Sequence, residues 1–262
     1  MMKSRTLGAV LLLIVLIGSL LIGYEMFAIV MLISSLLGYR ELMNIRFKDK
    51  NKDIEVVRFF GYVSIILVVW NNVFYSLDDK LTLIIPMLCL SIPIIFYNDN
   101  KKYNINDALY IMGVILFIGF SFNNIIYMDK LDIHKCILIF LLSFATDTYA
   151  YIGGRLIGKK KLTNISPKKT VEGSLIGVFM GVIIGSLYYY TFIGGISIKH
   201  IILMCLVLSV LSEIGDLVFS SIKRYFNKKD YSNLIPGHGG ILDRFDSVIF
   251  VSLGLTVILS LL

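Results

Sequence analysis

Nine apolar runs, separated by short polar segments, restrict this 262-residue chain to very few folds. They fall at roughly 7–23, 26–38, 59–77, 81–97, 108–127, 133–152, 173–193, 200–221 and 247–262. Most match the length of about 17–25 residues that a helix needs to cross a hydrocarbon core roughly 30 Å thick. With 57% hydrophobic and 16% charged residues, the chain is also more apolar than a soluble domain, which sits near roughly half apolar and a quarter charged. The expected fold is all-α, a polytopic transmembrane bundle of about nine spanning helices. The first run follows Lys3 and Arg5, as a signal peptide would. It is long for an h-region and lacks a small-x-small cleavage site, so a retained helix is expected.

Alternating loops between nine spans divide the 25 basic residues very unevenly. One side receives the N-terminus and the loops at 39–58, 98–107, 153–172 and 222–246, with 21 Lys and Arg among them. The other side receives only Lys80, Lys130, Lys135 and Lys199. Cytoplasmic loops carry the excess of Lys and Arg, which predicts a cytoplasmic N-terminus and an external C-terminus. A wrong span count would scramble this split. The net charge of +7 is therefore assigned to topology and contact with anionic lipid, not to nucleic acid. Cys89, Cys136 and Cys205 lie in or beside apolar runs with no C-x-x-C pair, and are expected to be small buried hydrophobes.

External loops are too short to form a domain, so chemistry is expected on the cytoplasmic loops 153–172 and 222–246. The chain divides on this basis into N-terminal framework spans, 1–140, and a C-terminal catalytic region, 141–262. Acidic residues within spans are costly and mark function. Asp147, Glu213 and Asp216 qualify, and the i, i+3 spacing of the last two puts them on one helix face.

A second cluster is Pro236-Gly237-His238-Gly239-Gly240-Ile241-Leu242-Asp243-Arg244-Phe245-Asp246. Its glycines permit close approach of a ligand to the backbone, and successive N–H groups in such a turn cradle phosphate oxygens. Asp243 and Asp246 follow at i, i+3. Together with Asp216 they make an oxygen-rich set suited to Mg²⁺. Arg244, Lys223 and Arg224 supply countercharge for phosphate. His238 fits a phosphate donor, a general acid or a turn residue; metal ligation is disfavoured because no second histidine is near.

The third cluster is Ser166-Pro167-Lys168-Lys169-Thr170-Val171-Glu172-Gly173. Proline suits the first position of a helix, with Ser166 as its N-cap. That reading puts Lys168 and Lys169 at a helix N-terminus, a natural anion site.

Ser221-Ile222-Lys223-Arg224, Lys229-Asp230 and the run from Ile235 to Asp246 resemble the signature of the phosphatidate cytidylyltransferase (CDP-diacylglycerol synthase) family. Thr146-Asp147-Thr148-Tyr149-Ala150-Tyr151, Gly154-Arg155 and Ser166 to Gly173 resemble its upstream motif. Tyr149 stands where the family has a small residue and Val171 where it has Trp. Specific resemblance covers Ala145 to Ser247.

The resemblance implies a helical enzyme of the cell membrane, usually a homodimer. It would make CDP-diacylglycerol and pyrophosphate from CTP and phosphatidic acid, using Mg²⁺ and a second, monovalent cation (K⁺). On this expectation Asp216, Asp243 and Asp246 hold metal. Lys223, Arg224 and His238 join them in catalysis. Asp147, Arg155, Ser166, Lys168, Lys169, Thr170, Glu172, Gly237, Gly239, Gly240 and Arg244 serve substrate binding. For Asp147 the choice among metal, cytidine ribose and orienting a lysine stays open. Alternatives are a CTP-dependent lipid kinase, a CDP-ether-lipid synthase and, from another class, a secondary transporter. No inverted repeat favours the last of these.

Overall fold

The computed structural model describes residues 2–48, 54–71, 79–96, 103–234 and 239–261. The described elements are α1 (Met2–Ile22), α2 (Tyr24–Arg46), α3 (Glu55–Trp70), α4 (Asp79–Ser91), α5 (Pro93–Phe96), α6 (Ile105–Leu131), α7 (Ile133–Ile157), α8 (Val171–Phe192), α9 (Ile198–Tyr225) and α10 (Leu242–Leu261). No strand occurs among the described residues.

The all-helical, multi-pass class follows directly. Among the described residues six helices, α2 and α6 to α10, are long and apolar enough to cross a membrane. Two of the remaining apolar runs hold shorter helices. α3 has 16 residues, and the run at 81–97 divides into α4, which contains Pro86, and the single turn α5. α2 runs eight residues past the expected end at 38, to Arg46. Tyr39, Leu42 and Met43 are buried along this extension, and that burial sustains the helix where local polarity predicts a loop.

The chain forms two compact units: residues 1–127 with 230–241, and residues 128–229 with 242–262. In the first, α2, α3 and α6 contribute most of the buried aromatic and aliphatic side chains, among them Phe27, Met31, Ile65 and Phe122. Arg46 Nη2 meets Asp107 Oδ1 at 2.9 Å, and its guanidinium lies 4.6 Å from the Tyr110 ring centroid. Asn123 Nδ2 donates to the carbonyls of Val69 and Asn71 at 3.1 and 2.7 Å. It thereby closes carbonyls that the end of α3 leaves without helical partners.

In the second unit α8 packs along α7 and α9 through glycines four residues apart, at 173, 177, 181 and 185. A Cβ on Gly177 would stand 2.6 Å from the Thr146 carbonyl oxygen. One on Gly181 would stand 2.5 Å from Thr146 Oγ1 and 2.6 Å from Ser209 Oγ. Such small-residue seams let membrane helices touch at backbone distance. The close approach holds α7 and α9 against α8.

Candidate active site

Four elements of the second unit bring charged side chains to one place. α7 carries Asp147; α9 carries Glu213, Asp216, Ser220 and Lys223; the first turns of α10 carry Asp243, Asp246 and Ser247. The loop between α7 and α8 carries Lys169. Gly215 permits the approach of α9 to α10, because a Cβ there would stand 2.7 Å from the Asp246 carbonyl oxygen.

Lys169 is shared between two acids on neighbouring turns. Its Nζ stands 2.7 Å from Glu213 Oε2 and 2.8 Å from Asp216 Oδ2. Burial works against the ammonium, but the carboxylates of Asp216 and Glu213 outweigh it and hold the Lys169 pKa above its ordinary value. Ser220 Oγ donates to Asp216 Oδ1 at 3.2 Å, one turn further along α9. Lys223 Nζ reaches Asp243 Oδ1 at 2.6 Å, and both side chains are nearly enclosed. Asp147 accepts from Ser247 Oγ at 3.1 Å. Asp246 accepts from the backbone N–H of Ser247 at 2.9 Å, and its charge interacts with those of Asp216, Asp147 and Lys223.

The arrangement is not charge-balanced. Five carboxylates (Asp147, Glu213, Asp216, Asp243, Asp246) stand with two ammonium groups (Lys169, Lys223). Glu213 Oε1 is buried with no hydrogen-bond partner, as are the hydroxyls of Thr146, Ser209 and Ser212. Buried polar atoms left in this state cost free energy. An all-oxygen donor set with excess negative charge has the chemistry that a hard divalent cation takes. In the arrangement described, Asp216 and Asp243 each hold a lysine, and among the described residues no three His, Cys, Asp or Glu side chains form a ready metal cage.

The expected helix start at Ser166-Pro167 is corrected. Ser166 to Lys169 form a turn, in which Lys169 N donates to the Ser166 carbonyl at 3.0 Å. α8 starts at Val171 with Thr170 as its N-cap, and the Thr170 hydroxyl accepts from Gly173 N at 3.2 Å. Loop closure explains the shift. Lys161 and Thr170 form an antiparallel bridge, and Val171 N donates to the Lys160 carbonyl at 2.9 Å. Lys168 and Lys169 therefore precede the helix, and Lys169 reaches carboxylates of α9.

Other expected site residues have structural partners. Glu172 accepts from the backbone N–H groups of Lys159 and Lys160. Arg224 donates to the carbonyls of Ile165 and Lys228, at 3.4 and 2.7 Å. Arg155, Lys168 and Arg244 are exposed. Gly239 has φ +83°, in the left-handed region that favours glycine. Gly239 and Gly240 belong to the first unit. Gly237 and His238 lie outside the described residues. Ser247 was not anticipated as a partner of Asp147; its position one residue after Asp246 is the only signal the sequence carries.

Comparison with known proteins points the same way. The model of the cytidylyltransferase family matches residues 3–262. A phosphatidate cytidylyltransferase of Staphylococcus haemolyticus (strain JCSC1435) is 31% identical over 95% of this chain and 96% of its own length. Those of Staphylococcus saprophyticus and Staphylococcus aureus (strain COL) are 33% identical over the same shares.

Proposed function

We propose that this chain, which belongs to the cytidylyltransferase family, transfers the cytidylyl group of CTP to phosphatidic acid. The single observation that carries the proposal is the carboxylate cluster of α7, α9 and α10 with its two enclosed lysines. Relatives named as phosphatidate cytidylyltransferases along nearly the whole chain support it.

The reaction needs no covalent enzyme intermediate. A phosphate oxygen of phosphatidic acid bonds to the α-phosphorus of CTP, and the bond from that phosphorus to the β-bridging oxygen breaks. CDP-diacylglycerol forms and pyrophosphate leaves. Aligning and neutralising two polyanions is the chemical task, as in other phosphoryl-type transfers. Asp216, Asp243 and Asp246 would hold Mg²⁺, which when bound supplies positive charge to the CTP phosphates and the departing pyrophosphate. Lys169 and Lys223 exchange a carboxylate partner for a phosphate oxygen as substrates arrive. Lys168, beside Lys169 in the α7–α8 loop, and Arg224, beside Lys223 near the end of α9, add countercharge at the solvent side. Asp147, held by Ser247, orients this group of charges. The family motif supports a phosphate-binding role for His238 and the Gly237–Gly240 backbone.

The distribution of Lys and Arg supports a multi-pass protein of the cell membrane with this face toward the cytoplasm. CTP then arrives from water while the acyl chains of the second substrate stay in hydrocarbon. The family resemblance supports a homodimer.

The test is positional labelling. Purified protein in detergent receives phosphatidic acid, Mg²⁺ and CTP labelled at either the α- or the γ-phosphate. The proposal expects α-label, and no γ-label, in the lipid fraction. Transfer of γ-label would mean a CTP-dependent lipid kinase, and no transfer beside an active control synthase would end the cytidylyl reading.

A further inference from the structure

α2 carries a buried carboxylate that the proposed chemistry does not use. Glu41 is only 4% exposed. Its Oε1 accepts from Ser232 Oγ at 2.6 Å and from the backbone N–H of Ile241 at 2.9 Å. These partners lie 191 and 200 residues further along the chain. They flank the glycine-rich segment on both sides.

Gly240 makes the arrangement possible. A Cβ at 240 would overlap Glu41 Oε1 and stand 2.6 Å from its Cδ. The carboxylate cannot swing away without giving up both hydrogen bonds. Ile241 is followed directly by Leu242, the first residue of α10, and then by Asp243. Both of these hydrogen bonds run to the chain that leads into α10. A framework role for α2 needs apolar packing, which Phe27, Met31, Leu42 and Met43 supply; it does not need a buried acid, which is costly to enclose.

We infer that Glu41 is a positioning residue for the transfer reaction, acting through Ser232, Gly240 and Ile241 on the backbone that enters α10. The inference rests on the proposed cytidylyl transfer. Small displacements of groups that align reactants lower the rate of chemistry steeply, by up to about 100-fold for a misplacement of roughly 1 Å.

The experiment uses the full-length protein in detergent, with α-labelled CTP and phosphatidic acid. The variants are E41A, E41Q, S232A, G240A and the E41A/S232A pair. Glu41→Ala is expected to lower kcat about 30- to 100-fold, with KM for phosphatidic acid within about twofold because no substrate contact is lost. Glu41→Gln keeps an oxygen acceptor of the same reach and should restore kcat to within about fivefold of wild type. Ser232→Ala should lower kcat by about three- to tenfold, and the double variant should be no worse than E41A alone, as expected for two members of one contact. Gly240→Ala should resemble E41A. Hydrogen exchange supplies the readout a merely structural role would not move in this pattern: the Ile241 amide is protected in wild type, exposed in E41A and protected again in E41Q.

Wild-type kcat in E41A, or unchanged Ile241 exchange in that variant, overturns the inference while leaving the cytidylyl reading intact. If E41A does not fold, S232A and E41Q decide: S232A with wild-type kcat overturns the inference, and reduced kcat in S232A with recovery in E41Q supports it. Wild type without label transfer overturns the underlying reading itself, a result distinct from any variant effect.

Discussion

The two units enclose acids in opposite ways. In the unit of residues 1–127 and 230–241, Asp107 meets Arg46 and Glu41 meets the Ser232 hydroxyl and the Ile241 N–H. Those acids have fixed partners within their own unit. In the unit of residues 128–229 and 242–262, five carboxylates share two lysines, and one carboxylate oxygen has no partner. Like charges held this close in a poorly solvated place are unfavourable unless positive charge arrives to meet them. Acids with fixed partners hold the chain in place; surplus negative charge marks a candidate site, which the proposed function completes with metal and substrate.

Breaking the surplus side should have the largest effect. Asp243→Asn removes a proposed metal ligand and the Lys223 partner together. Its kcat/KM should fall by about 10³-fold or more, a barrier increase of about 4 kcal/mol, while the purified protein remains folded by thermal shift. Next comes Lys169→Ala, which leaves Glu213 and Asp216 facing each other without their shared cation. Breaking a buried pair from one side costs about 3–5 kcal/mol. The lower end applies because the side chains of Lys169 and Asp216 keep 19% and 26% exposure. A fall in detergent melting temperature checks this. Because the folded Lys169 pKa is raised, its contribution is complete below the unfolded value of about 10.4 and disappears only as pH rises through the higher folded value. Stability between about pH 6 and 9 should therefore show no step from this group.

Gly177→Leu attacks the support beneath the site. It inserts a side chain where even a Cβ would stand 2.6 Å from a backbone oxygen. Overpacking of this kind costs about 1–3 kcal/mol, and activity should fall with stability. The smallest effect belongs to the matched side. Arg46→Ala leaves Asp107 without its guanidinium, a loss of about 1.5 kcal/mol for a partly exposed charged hydrogen bond. Its kcat per folded molecule should be unchanged. A large kcat loss in Arg46→Ala, with Asp243→Asn fully active, would reverse the assignment of framework and site.

Much of the second unit was legible from sequence because its signals are local. The spans that became α7 to α10, the i, i+3 acids of α9 and α10, and the basic loop residues are each written within a few positions. The glycines at 173, 177, 181 and 185 are also in the sequence, but their spacing of four was not read as a packing seam; the structure reveals it. The start of α8 was misplaced because Ser166-Pro167 satisfies the local capping rule. The bridge from Lys161 to Thr170 overrides that rule through contacts on the far side of the loop. Glu41 was hidden for a stronger reason. It lies in a stretch rich in Arg and Lys that reads as a loop, and its partners are about two hundred residues away. The number of membrane crossings is harder still to read, because α3 and the α4–α5 pair are short and their burial comes from neighbours.

The central claim is that the surplus carboxylates of α9 and α10 hold a divalent ion for cytidylyl transfer. The most direct test is a Mg²⁺ titration of α-label transfer from CTP to phosphatidic acid, comparing wild type with Asp246→Asn. The account predicts no transfer without Mg²⁺, saturable activation in wild type, and at least about a tenfold higher half-saturating Mg²⁺ in the variant, equal to about 1.4 kcal/mol of lost metal affinity. Transfer that persists in chelator, or a variant that saturates at the wild-type Mg²⁺ concentration with wild-type kcat, would contradict it.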